Sequence, residues 1–170
     1  MVDIWFSSDP HFDHDKMWNK FQRHDGTPLR DFKSSLEMNE CIVERHNALI
    51  KPQDHWYCLG DVAMKKSGLS WVAKVNGHKR LLRGNHDIFK TKDYLEYFEE
   101  VSAYRVFSEH MLCFSHIPIH PVCMERFVLN VHGHLHHKPA QIPGPYRNVS
   151  MEMIDYRPVH LDEVLSWVTQ

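Results

Sequence analysis

Polar and apolar positions change period repeatedly along this chain, and each change marks an element. Val2-Asp3-Ile4-Trp5-Phe6-Ser7 alternates as a first strand would. Ser34 to Ile50 switches to helical spacing, with Leu36, Asn39, Ile42, Val43, His46 and Leu49-Ile50 on one stripe and Pro52 closing it. His55-Trp56-Tyr57-Cys58-Leu59 is an unbroken apolar run stopped by Gly60, as in a strand covered on both faces. Leu69 to Val75 predicts a short helix, Lys79 to Leu82 a strand ending at Gly84, and Asp93 to Phe98 another helix. Ala103 to Phe107 and Met111 to Ser115 predict two antiparallel strands turning at Glu109. Phe127 to Val131 is a further apolar run, Asn148 to Ile154 alternates again, and Asp162-Glu163 opens a last amphipathic helix to Val168.

Strands alternate with helices early and follow one another later. That order predicts an α/β chain with one largely parallel sheet and one more antiparallel sheet, stacked. With no internal repeat, low-complexity tract or linker, residues 1–170 are expected to form a single domain.

Composition narrows the function classes. Hydrophobic residues make up 42% of the chain and charged residues 25%, the balance of a soluble globular protein. A formal net charge of -2 supplies no global basic field for a nucleic-acid backbone, so nucleic acid is not indicated as a partner, although a nuclease with a local patch stays open. No apolar run approaches the roughly 20 residues of a membrane helix. The N-terminus lacks the basic start and apolar stretch of a signal peptide, so a cytoplasmic location without membrane partners is expected. Cys41, Cys58, Cys113 and Cys123 form no Cys-x-x-Cys pair; the first three lie in apolar runs and read as buried free thiols.

The histidines change the picture most. There are 15 of them, and histidine is the commonest metal ligand. They gather in short clusters at strand ends: Asp9-Pro10-His11, Gly60-Asp61, Gly84-Asn85-His86-Asp87, His116, and Gly133-His134-Leu135-His136. Residues two apart in extended chain point to the same side, so Asp9 with His11 can share one ion; His134 and His136 are likewise two apart. Each cluster alone is weak, since a Gly-Asp pair is usually a turn and a single histidine usually a polar residue with a hydrogen bond. Their common placement after apolar strands, where α/β sites assemble, gives them weight.

In that order the five clusters resemble the calcineurin-like metallophosphoesterase superfamily, whose pattern is Asp-x-His, Gly-Asp-x-x-Asp, Gly-Asn-His-Asp, a lone His, and Gly-His-x-His. The head Asp9-Pro10-His11-Phe12-Asp13-His14 and the tail around Asn148-Val149 and Tyr156 to Val159 look like its small, capless bacterial and phage members. The resemblance implies a four-layer α-β-β-α sandwich of two stacked mixed sheets flanked by helices. It also implies two divalent metal ions, with Asp9, His11 and His136 on the first, Asn85, His116 and His134 on the second, and Asp61 bridging both. Mn²⁺ is the expected ion; imidazole, carboxylate and amide oxygen also suit Fe, Zn²⁺, Ni²⁺ or Co²⁺. His86 resembles the family's general acid, with Asp87 orienting its ring, and the reaction implied is hydrolysis of a phosphate ester by a hydroxide held between the metals. One position departs: Met64 stands where the pattern has its second Asp.

Only 22 residues (62–83) separate Asp61 from Gly84 and 17 (117–133) separate His116 from His134, which leaves no space for a cap domain. The partner is therefore expected to be a small phosphate ester, with a phosphodiester of nucleotide or cyclic-nucleotide type as the leading reading. A phosphomonoesterase or protein phosphatase is the alternative, and an inactive scaffold of the same fold is the alternative from another class. Phe12, Trp18 and Phe21 among Lys16, Lys20 and Arg23 either stack a base or cap the core. Arg83 either touches phosphate or is an ordinary surface arginine, and His14 and His132, which flank the motifs, either support the ligands from behind or are ordinary polar residues.

Overall fold

The computed structural model describes residues 2–168. In chain order it contains β1 (Ile4–Ser7), α1 (Lys16–Asn19), α2 (Ser35–Leu49), β2 (His55–Cys58), β3 (His78–Leu82), α3 (Thr91–Tyr94), β4 (Glu100–Ser102), β5 (Tyr104–Phe107), β6 (Leu112–Ser115), β7 (Leu129–His132), β8 (Tyr146–Asn148), β9 (Val159–His160) and α4 (Leu161–Ser166). The predicted helix at 69–75 is a 3₁₀ helix over Lys66–Lys74, and Asp93 to Phe98 yields only the single turn of α3. The alternation at 148–154 gives strand only as far as Asn148, with an isolated bridge from Ser150 to Ser8, before the chain turns into a 3₁₀ helix at Met151–Met153.

The strands form two sheets, ordered β4-β3-β2-β1-β9 and β5-β6-β7-β8. In the first, β1–β2, β2–β3 and β3–β4 are parallel and only the β9 edge is antiparallel. The second departs from the expected antiparallel character: β5–β6 is antiparallel, but β6–β7 and β7–β8 are parallel. The reason is the connection. A tight turn through Ser108–His110 joins β5 to β6, whereas the 116–128 loop carries the chain back across the sheet before β7 begins.

Alternate side chains of each sheet meet in a common core. Phe6, Tyr57 and Leu82 of the first pack with Phe114, Leu129 and Val131 of the second, and the Phe6 and Phe114 rings stack with centroids 4.1 Å apart. On the opposite face of the first sheet, Trp56, Cys58 and Leu81 are covered by Met38 and Ile42 of α2 and by Leu69 and Val72. Ser34 starts α2, its hydroxyl accepting the Glu37 N–H at 3.1 Å, a cap worth about 1 kcal/mol. The buried stripe of α2 runs through Met38, Asn39, Ile42 and His46, while Leu36 lies outside it. Helices thus cover one outer face. The other, around Cys113 and Asn130, is met by the 116–128 loop, whose Ile119 N–H donates to Asn130 Oδ1 at 3.0 Å. Cys58 and Cys113 are buried thiols as expected, but Cys41 is only half-buried and Cys123 is exposed.

Candidate metal centre

Parallel pairing brings the C-terminal ends of β1, β2 and β3 to one edge, and those of β6 and β7 to the same region of the second sheet. The loops leaving these ends bond to one another. Asp9 N–H donates to the Gly60 carbonyl at 3.0 Å, His11 N–H to the Asp61 carbonyl at 3.1 Å, and Gly133 N–H to the His116 carbonyl at 2.9 Å. The glycines are needed here for close approach. A Cβ on Gly84 would collide with the Asp61 carboxylate, and one on Gly133 with Ser8 Oγ and Asp9 Oδ2.

Two ligand groups result: Asp9, His11 and His136, and Asp61, His116 and His134. Asn85 completes the second, its Oδ1 lying 2.9 Å from His116 Nε2 and 2.8 Å from His134 Nδ1. Asp61 connects the groups, with Oδ2 at 3.6 Å from His11 Nε2 and 3.3 Å from His116 Nε2. All seven sequence-predicted ligands are therefore brought together. Five of them, Asp9, His11, Asp61, His134 and His136, have positive φ between 50° and 67°. Non-glycine residues avoid this region, and such strain collects at functional sites.

Several of the ligand side chains are held by a second contact. Asp9 Oδ2 accepts from His134 N–H at 2.9 Å and from the Ser150 hydroxyl at 3.0 Å, while its Oδ1, fully buried, has no hydrogen-bond partner among the described residues. Both ring nitrogens of buried His11 are likewise without partners. Asp61 Oδ1 accepts the His86 N–H at 2.8 Å, so Oδ2 faces the histidines. His116 Nδ1 donates to the Leu59 carbonyl at 2.7 Å, which directs Nε2 inward. A buried carboxylate oxygen and a buried imidazole without partners are costly unless a cation satisfies them, so the donor set fits divalent metal ions.

Two residues that sequence reasoning missed support His136. Glu152 lies 3.2 Å from His136 Nδ1 and accepts from Arg30 Nε at 2.6 Å. Arg30 is fully buried and also donates to the carbonyls of Asp9 at 2.6 Å and Pro10 at 2.8 Å. Burial opposes the charge on Glu152, yet Arg30 and His136 hold its pKa down at about 2. Burial also opposes charge on His116, but Asp61 and Asp9 lift its pKa to about 9. His11 is pushed well below the ordinary histidine value by burial and by Arg30.

The expected partnership of Asp87 with His86 is not what forms. Asp87 is buried and turned inward, accepting the N–H groups of Asp61 at 2.8 Å, Val62 at 3.0 Å and Gly84 at 2.8 Å. It clamps the two ligand-bearing loops, and no hydrogen bond joins it to the His86 ring. Burial raises its pKa, partly offset by those backbone N–H groups. His86 itself is exposed, its ring 5.8 Å from that of His11. Arg83 is bonded to the carbonyls of Asp87 and Phe89, bracing the loop rather than facing a phosphate. His132 is buried and bonded to the Gly133 carbonyl; His14 stands beside His11 with ring centroids 5.4 Å apart.

No family model matches the sequence. The uncharacterized protein MJ1445 of Methanocaldococcus jannaschii is 28% identical over 177 residues, spanning 99% of this chain and 92% of that protein. The crystal structure of AQ665 from Aquifex aeolicus, a protein of unknown function, superposes with a TM-score of 0.71 at 25% identity over 96% of this chain and 98% of that one. A solved structure described as a novel archaeal phosphodiesterase superposes with a TM-score of 0.51 at 13% identity over 88% of this chain and 82% of that one, a likeness of fold.

Proposed function

We propose that this protein hydrolyses phosphate esters with two divalent metal ions, and that phosphodiesters of nucleotide or cyclic-nucleotide type are its substrates. The carrying observation is the position of Asp61 Oδ2, within 3.6 Å of His11 Nε2 and 3.3 Å of His116 Nε2, where one carboxylate serves both ligand groups. The shared fold with a protein described as a phosphodiesterase supports the reading, and we read the architecture as a reduced α-β-β-α sandwich of the metallophosphoesterase kind.

When bound, the ions would neutralise phosphoryl charge and lower the pKa of water at the site. Mn²⁺ is the proposed ion, with Fe, Zn²⁺, Ni²⁺ or Co²⁺ compatible with the same donors. Asp9, His11 and His136 would hold one ion, Asn85, His116 and His134 the other, and Asp61 both. His86 is exposed beside the ligand groups and donates a proton to the departing ester oxygen. Asp87, Arg30 and Glu152 keep the loops and His136 in place. The scaffold alternative is disfavoured because every ligand position and His86 are filled.

The test is a substrate panel with Mn²⁺-loaded protein: bis-p-nitrophenyl phosphate, p-nitrophenyl phosphate and 2′,3′-cyclic nucleotides. Faster diester than monoester hydrolysis is expected. A consistent preference for monoesters would reverse the substrate class, and no hydrolysis of any ester would reverse the reading.

A further inference from the structure

Two clefts flank the ligand groups, and their walls differ. One, of about 520 Å³, is lined by His11, His86 and His136 together with Phe21, Lys16 and Lys138. No acidic side chain lines it, and neither lysine is in an ion pair among the described residues. The other, of about 630 Å³, meets the centre at Asn85 and His116 and is walled by Tyr104, Ile117, Ile119 and Phe127. Its one arginine, Arg83, is already committed to the backbone of its own loop. The adjacent residues Asn85 and His86 thus line different clefts.

From this placement we infer that the substrate is an unsymmetrical phosphodiester, whose leaving alcohol carries a further anionic group and lies in the Lys16–Lys138 cleft, while the retained alcohol is apolar and lies against Tyr104 and Phe127. The inference rests on the phosphodiesterase reading above. The direction follows from His86. The proton donor must reach the departing oxygen, and His86 lines only the cationic cleft. Water forms the new bond to phosphorus. The old P–O bond breaks with its electron pair on the leaving oxygen, which takes the proton of His86. The proton released by water passes to solvent, and His86 is reprotonated. The products are a monoester of the apolar alcohol and a free alcohol bearing its own anionic group. Lys16, Lys138 and the exposed ring of Phe21 suit a phosphorylated nucleoside as that alcohol.

The probes are benzyl adenosine 5′-phosphate and the same diester carrying a 3′-phosphate, offered to the Mn²⁺-loaded protein. The 3′-phosphorylated probe is expected to be the better substrate and to give benzyl phosphate with adenosine 3′-phosphate. A K16A/K138A variant, altered only at exposed side chains, should raise its KM about tenfold and that of the unphosphorylated probe by a clearly smaller factor. Binding of adenosine 3′,5′-bisphosphate, followed by calorimetry, should weaken by the same factor. Phe127→Ala should raise KM for both probes. Release of benzyl alcohol as the main route, or equal effects of K16A/K138A on both probes, would overturn the inference while leaving the phosphodiesterase reading intact. Hydrolysis of neither probe nor of bis-p-nitrophenyl phosphate would instead remove that reading.

Discussion

The carboxylate of Asp87 accepts the backbone N–H of Asp61 at 2.8 Å, so the residue after His86 holds the residue that bridges the two ligand groups. With Val62 and Gly84 also donating to it, Asp87 ties the loop after β2 to the loop after β3. Asp87→Ala leaves three backbone donors without their acceptor. It should lower stability by roughly 1–3 kcal/mol and weaken metal binding. Its rates across leaving groups should keep the wild-type pattern, because the His86 ring does not depend on it. A changed leaving-group dependence with normal metal affinity would restore Asp87 as an orienter of His86.

Removal of His86 should show the opposite signature. His86→Ala should keep both ions and the fold, and lose roughly 10²–10⁴-fold in kcat on esters with alkoxide leaving groups. A p-nitrophenolate leaves without a proton, so its release should suffer little. A wild-type to mutant ratio that stays flat as leaving-group pKa rises would assign His86 to holding the phosphoryl group. Loss of one ion would make it a ligand.

Arg30 and Glu152 form a fully buried ion pair at 2.6 Å. Glu152→Ala strands the guanidinium and should cost roughly 3–5 kcal/mol, whereas R30M/E152L removes both charges and should cost less. Both variants free His136 Nδ1, so both should bind metal more weakly than wild type. Equal stability of the single and double variants, measured by urea unfolding, would contradict the pairing.

Acid stability should depend on His46, far from the centre. The ring is buried, packed edge-on to Trp56 with centroids 4.7 Å apart, and burial lowers its pKa to about 4 despite the bond to the Asn76 carbonyl. The unfolded chain protonates this histidine around its ordinary value of 6.5, but the folded chain resists until about 4. Stability is therefore intact above pH 6.5 and falls as the pH drops toward 4, by roughly 3 kcal/mol at 1.36 kcal/mol per unit. His46→Gln in metal-free protein should reduce that slope, with His11 and His14, also held below the ordinary value by burial, supplying the remainder. An unchanged slope would place the acid sensitivity elsewhere.

Much of the site was legible because its ligands sit in short clusters directly after apolar runs; each run became a strand, and parallel pairing did the rest. The elements that misled are those whose form depends on distant partners. Asn148 to Ile154 alternates, yet the chain turns at Ser150 so that its hydroxyl can reach Asp9 Oδ2 at 3.0 Å. That turn presents Glu152 to His136, a role the alternation gave no hint of. Arg30, between Leu29 and Asp31, carries no periodic signal; only the tertiary structure shows it buried under the Asp9 and Pro10 carbonyls. Phe12, Trp18 and Phe21 divide as well: Phe12 is in the core, Trp18 bonds to Ser35 at 3.1 Å, and Phe21 reaches the cleft.

The central claim is that one carboxylate, Asp61, joins two cation sites in a single chain. Equilibrium dialysis against Mn²⁺, followed by elemental analysis, tests it directly for wild type and Asp61→Asn. Wild type should approach two ions per chain at saturation, and Asp61→Asn should bind both ions more weakly. A wild-type stoichiometry that never exceeds one, with Asp61→Asn binding as tightly as wild type, would contradict the dinuclear account.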